Sequence, residues 1–119
     1  MSESNLSEVL NLEGLMEHVN SDVELLSELV DIFGEYYPEH LSAIRDAVSD
    51  GDCLNIRETA HQLKGAVSNF HAPCAVAIAR QMEDAGRDGQ LELARACCDQ
   101  LCEEIERMYN ALQELCKAS

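Results

Sequence analysis

From Val23 to Val48 the apolar residues Val23, Leu26, Val30, Phe33, Tyr37, Leu41, Ile44 and Val48 recur at spacings of three and four. That is the period of one face of an α-helix. Ser21, followed three residues later by Glu24, reads as its capping box. Pro38 removes a backbone donor and crowds the carbonyl four residues earlier, which predicts a kink or restart near Tyr37. Ser49-Asp50-Gly51-Asp52 then offers a C-terminal glycine and the next N-cap. A second stripe, Ile56, Ala60, Leu63, Val67 and Phe70, predicts a helix over roughly Asp52 to Phe70. A third begins near Pro73, carries Ala75, Ile78, Met82 and Ala85 inward, and is expected to stop at Gly86, with Arg87-Asp88-Gly89 as the turn. The most regular run is the last: Leu91, Ala94, Cys98, Leu101, Ile105, Met108, Leu112 and Leu115, with Glu103, Glu104, Glu106 and Arg107 off the seam. Ahead of all these, Asn11 caps a short helix whose apolar side is Leu12, Leu15, Met16 and Val19, ended by Asn20. The predicted fold is all-α, an antiparallel four-helix bundle with a short additional N-terminal helix packed across one end. Residues 1–10 form an N-terminal extension and residues 11–117 the domain.

Composition agrees with one helical core. The chain has 119 residues, 46% hydrophobic and only 4% aromatic with no Trp, which suits a single domain and favours helices over strands. Charge narrows the partners further: 23 acidic against 8 basic residues give a formal net charge of -15. Phosphate backbones and anionic lipid surfaces are repelled by such a molecule, so nucleic acid and membrane are not expected partners. Met1-Ser2-Glu3-Ser4 starts no basic segment followed by an apolar stretch, and no apolar run is long enough to span a bilayer; the expected location is the cytoplasm. There the six cysteines are expected as reduced thiols. Cys98 and Cys102, with Cys97 adjacent, could form a metal-binding thiol pair; the plainer reading is that Cys fills the core as a small hydrophobe.

The chemistry sits on the third predicted helix. Arg57, His61, Lys64, Gly65 and Ser68 line a face beside its buried stripe and are expected to meet solvent. A mid-helix glycine costs about 1 kcal/mol relative to alanine, and Gly65 follows the exposed His61 by one turn. Its bare surface lets another protein's active-site edge reach the ring. Lys64 stands beside it as a point charge for an incoming phosphoryl group. Imidazole, with a reference pKa of about 6.5, presents a neutral ring nitrogen as nucleophile at cytosolic pH. Phosphoryl transfer depends mainly on positioning and charge neutralisation, much of which a partner's metal site can supply.

His61-Gln62-Leu63-Lys64-Gly65 resembles the H-x-L-K-G signature of histidine-containing phosphotransfer (HPt) domains of two-component phosphorelays. The likeness continues in Asp22-Val23-Glu24-Leu25-Leu26, in Phe33 to Pro38, in the Gly51-Asp52 turn and in Met82-Glu83-Asp84-Ala85-Gly86-Arg87, and spans about Asn11 to Lys117. It implies that His61 accepts a phosphoryl group on its outer ring nitrogen from a receiver-domain aspartate and passes it to another. Lys64 would be the charge neighbour and Gly65 the clearance residue, with Arg57, Gln62, Gly65 and Ser68 as the docking face. The implied partners are response-regulator receiver domains and a hybrid sensor histidine kinase. The carrier would need no cofactor of its own, Mg2+ belonging to the partner receiver. One departure stands out: the family often has glycine ten positions after the phosphohistidine, where this chain has His71. At roughly 15 Å along the helix axis from His61, that change bears on the turn before Pro73, where a histidine can adopt the left-handed conformation less readily than glycine.

Other readings are weaker. Glu58-Thr59-Ala60-His61 is formally the E-x-x-H of di-metal bundles, but no other histidine has a glutamate three residues before it. An autonomous kinase is not expected, since no glycine-rich nucleotide loop is present. A helical adaptor that docks a receiver without taking phosphate is the alternative function, favoured by loss of the acceptor or the glycine, both of which this chain keeps. His18, His40 and His71 are expected as surface or turn residues, and the molecule as a monomer.

Overall fold

The computed structural model describes residues 10–118, and every element among them is helical: α1 (Leu12–His18), α2 (Val23–Asp50), α3 (Cys53–Ser68), α4 (Pro73–Arg87) and α5 (Leu91–Ala118). No helix among them is long and apolar enough to cross a membrane. Of the expected extension, all but Leu10 lies outside the described residues, and Leu10 is buried. The two longest helices, α2 and α5, have 28 residues each, about 42 Å of helix at 1.5 Å per residue. That length sets the 43 Å long axis of the molecule.

The four long helices form a ring of neighbours. α3 packs most extensively on α4, α4 on α5, α5 on α2 and α2 on α3, while α3 and α5 meet only slightly. Into the centre project Leu26, Ile44, Ile56, Leu63, Met82, Leu101, Ile105 and Met108, all fully buried. Each such side chain contributes roughly 1.5–3 kcal/mol of burial. Cys97, Cys98 and Cys102 are buried with them, so Cys98 fills the core as its place on the α5 seam requires.

Several boundaries differ from the sequence reading. α2 is capped by Asp22, whose carboxylate accepts from the Leu25 amide at 3.1 Å, and not by Ser21. Ser21 lies in the left-handed region at φ 58, outside the extended conformation an N-cap needs. Asp22 also places a negative charge at the helix's positive end. Pro38 neither ends α2 nor restarts it: the helix runs unbroken from Val23 to Asp50. Phe33 and Leu41, buried on either side of the proline, hold both segments to the same core. Gly51, at φ 66, closes α2, and Asp52 caps α3 by accepting from the Asn55 amide.

α4 does not stop at Gly86 but continues through Arg87, leaving the left-handed turn to Gly89 at φ 71. Gly86 is a packing residue: a Cβ there would lie 2.7 Å from the Arg57 nitrogen and 2.8 Å from the Cys53 carbonyl oxygen. Gly34 similarly admits the ring of Tyr109, which joins Phe33, Tyr37 and Phe70 in one aromatic cluster. α1 closes the end beside the α3–α4 turn, where the Asn11 amide donates to the His71 carbonyl at 2.7 Å. His71 adopts the left-handed conformation, φ 55, as that turn demands.

Because two backbones meet at Gly86, Gly86→Ala should force α3 and α4 apart. Overpacking outweighs alanine's better helix propensity, so urea unfolding should show a loss of about 1–3 kcal/mol.

Candidate functional site

α3 presents two faces, one to the core through Ile56, Ala60, Leu63 and Val67 and one to solvent through Arg57, His61, Gln62, Gly65 and Ser68. The His61 side chain is 66% exposed. Arg57, Glu58, His61 and Gln62 line an open cleft with Leu54 and with Glu83 from α4. Ser68 also faces outward, but its hydroxyl donates to the Lys64 carbonyl at 2.7 Å, a local bond that leaves its oxygen only as an acceptor.

Glu83 was not singled out by the sequence reading, and it organises the site. One carboxylate oxygen lies 2.8 Å from His61 Nδ1 and the other 2.7 Å from Lys64 Nζ. The Lys64 ammonium first, and the His61 ring after it, hold the Glu83 carboxyl below its ordinary value against the opposing effect of burial. An ionised carboxylate can only accept, so the neutral His61 ring carries its proton on Nδ1. The lone pair is then on Nε2 of a ring whose side chain is mostly exposed. Lys64 is correspondingly less open than its neighbours, 25% exposed, because it folds toward α4. Glu83 lies one turn before Gly86, the residue that lets α4 approach α3, and that approach is not encoded in the spacing of either helix.

Gly65 differs from the other glycines within helices. A Cβ at Gly65 would meet no atom within 4 Å, so nothing in the domain requires a glycine there. On the α2 side of the same face lies a second groove, lined by Leu29, Ile32, Phe33 and Tyr36 of α2, Ala66 of α3 and Phe70 of the turn after it. Leu25, Ile32 and Tyr36 are exposed despite their size. This second apolar stripe on α2, Leu25, Leu29, Ile32 and Tyr36 at spacings of four, three and four, is also legible in the sequence but was passed over beside the stronger core stripe. Among the described residues no three of His, Cys, Asp or Glu converge to hold a metal ion.

The lowered Glu83 value has a definite sign. Its contribution to stability is complete above the ordinary glutamate range and is lost as pH falls through the lowered value. Lys64→Met should raise the Glu83 midpoint in a carbon NMR titration of the carboxyl group, with the helical content unchanged.

The Hpt domain family model matches residues 28–116. No curated protein matches the chain in sequence. Among solved structures, the crystal structure of histidine-containing phosphotransfer protein B (HptB) from Pseudomonas aeruginosa PAO1 is similar, at 25% identity and a TM-score of 0.75, over 87% of this chain and 93% of that one.

Proposed function

The chain belongs to the Hpt domain family, and from that membership we propose that it is a phosphoryl carrier of a two-component phosphorelay with His61 as the acceptor. The observation that carries the assignment is the Glu83 contact to Nδ1, which leaves Nε2 as the free nucleophile on an exposed ring. In the forward step the Nε2 lone pair forms the P–N bond. The P–O bond to a receiver aspartate breaks, and the aspartate carboxylate leaves with the electron pair. The ring, still protonated on Nδ1, gains positive charge, which the Glu83 carboxylate stabilises or relieves by taking the proton. Passing the group to a second receiver reverses each event.

Lys64 lowers the Glu83 carboxyl pKa and, as the charge neighbour, offsets the carboxylate's negative potential beside the ring. Gly65 serves as clearance, and Arg57, Gln62, Gly65 and Ser68 form the face on which a receiver lies, flanked by the exposed apolar stripe of α2. The four long helices act as an antiparallel bundle that holds this face rigid, with α1 across one end. The metal ion needed for transfer, Mg2+, belongs to the receiver, and the chain brings no cofactor and no autonomous kinase activity. We place it in the cytoplasm as a monomer, between a hybrid sensor histidine kinase and response-regulator receiver domains. A purely docking adaptor has no use for the Glu83 contact to the ring.

His61→Gln should abolish uptake of labelled phosphate from a phosphorylated receiver while leaving the circular dichroism spectrum unchanged. Acid-labile, base-stable phosphate on the variant would refute His61 as acceptor. Gly65→Leu should raise thermal stability by up to about 1 kcal/mol through helix propensity and yet slow transfer by an order of magnitude or more; unaltered transfer would show that the open surface is not where the partner lies.

A further inference from the structure

Two cations flank His61 on α3, and they are not equivalent. Lys64 is engaged by Glu83 at 2.7 Å, so its charge and that of the carboxylate largely cancel. Arg57 lines the same cleft as His61 and Glu83, is exposed, and its side chain makes no hydrogen bond or ion pair among the described residues. Positions four apart share a helix face with Cβ atoms about 5–6 Å apart. Side chains on a helix tilt toward its N-terminus, so the His61 ring lies over the turn that carries Arg57.

The charge balance of the site then distinguishes the two cations that α3 places beside the ring. A phosphoryl group on Nε2 adds about 1.5 to 2 negative charges, close to the Glu83 carboxylate and on a chain whose formal net charge is already -15. For Lys64 to meet that charge it would have to leave Glu83, giving up a 2.7 Å contact and exposing the ring to an unbalanced carboxylate. Arg57 gives up nothing. Its planar guanidinium carries parallel donors that match phosphoryl oxygens two at a time, which an ammonium cannot do.

We propose that Arg57 is the residue that holds the phosphoryl group once it is on His61, while Lys64 serves the carboxylate that fixes the ring. This rests on His61 being the acceptor and gives Arg57 a task in the phosphorylated state itself, beyond any contact with a docked receiver. No additional reactant enters: the P–N bond forms as described above, and Arg57 supplies donors and charge without exchanging a proton.

The test uses phosphoramidate, a small P–N donor, so that no receiver surface takes part. Wild type, Arg57→Ala and Arg57→Lys are phosphorylated and followed by phosphorus NMR. Arg57→Ala should lower steady occupancy about fivefold, the scale of one exposed charge pair, and should shift the phosphoryl ionisation to higher pH. Arg57→Lys should recover part of both. Equal occupancy and an unmoved ionisation in Arg57→Ala, with a defect appearing only when a phosphorylated receiver is the donor, would overturn the proposal and leave Arg57 as a docking residue. Absence of phosphate on wild type from phosphoramidate and from receivers alike would instead overturn the acceptor reading of His61, and this inference with it.

Discussion

Where Gly86 meets the backbone of Cys53 and Arg57, α4 comes against α3 with no side chain between them, since even a Cβ would sit 2.7 Å from a main-chain nitrogen. That approach decides how far a side chain on α4 must reach to touch the outer face of α3. Glu83, one turn earlier on the same helix, reaches both His61 and Lys64 because the distance is short. A wider spacing would leave the carboxylate in water, the ring free to exchange tautomers and Lys64 without a fixed partner. The most extensive helix pair in the molecule is thus also the one that orders its reactive face.

The electrostatics follow from this contact. On a strongly acidic chain, a glutamate beside the His61 ring looks at first at odds with the proposed function, because it would repel an incoming phosphoryl group. It is tolerable because Lys64 offsets it, and useful because it orients the ring and can absorb the charge that develops there. Catalytic simplicity here means that a carrier need only present one nitrogen in one protonation state, with space around it.

Much of the fold was legible in the sequence because the stripes of α2 through α5 alternate three and four residues with little interruption. Asn11, Gly51 and Asp52 sit at helix ends where their chemistry places them. Errors arose where local rules met tertiary ones. At Pro38 local rules predict a kink or a restart, but the helix does not restart, because Phe33 and Leu41 bind both flanks to one core. Gly86 was read as a stop because glycine usually ends a helix, whereas here its lack of a side chain is used sideways, against another backbone. Ser21 lost its capping role to the neighbour with the right backbone angle. At the site, helical spacing alone puts Arg57, His61, Lys64, Gly65 and Ser68 on one outward face, and of these only Lys64 is drawn back from solvent, onto Glu83. Glu83 could not be placed in this way, since its contact depends on the separation of two helices, which no single-helix pattern encodes. The α2 stripe of Leu25, Leu29, Ile32 and Tyr36 was visible but ambiguous, because apolar periodicity does not say which of two stripes faces inward.

The turn before α4 holds one more consequence. His71 occupies the left-handed position, and its ring lies against α1, with Nδ1 2.8 Å from where a Cβ on Gly14 would be and the ring 5.4 Å from that of His18. The imidazole fills the volume that Gly14 leaves empty, so the two positions fit as lock and wedge. Glycine at 71 would ease the restriction at 14, whereas a side chain at 14 would have to displace both the His71 imidazole and the Asn11 amide, whose nitrogen lies 3.0 Å from the same point. Exchange of α1 between relatives therefore has to match the residue at 71 as well as that at 14, a compatibility set at the end of the bundle and not by the face that carries His61.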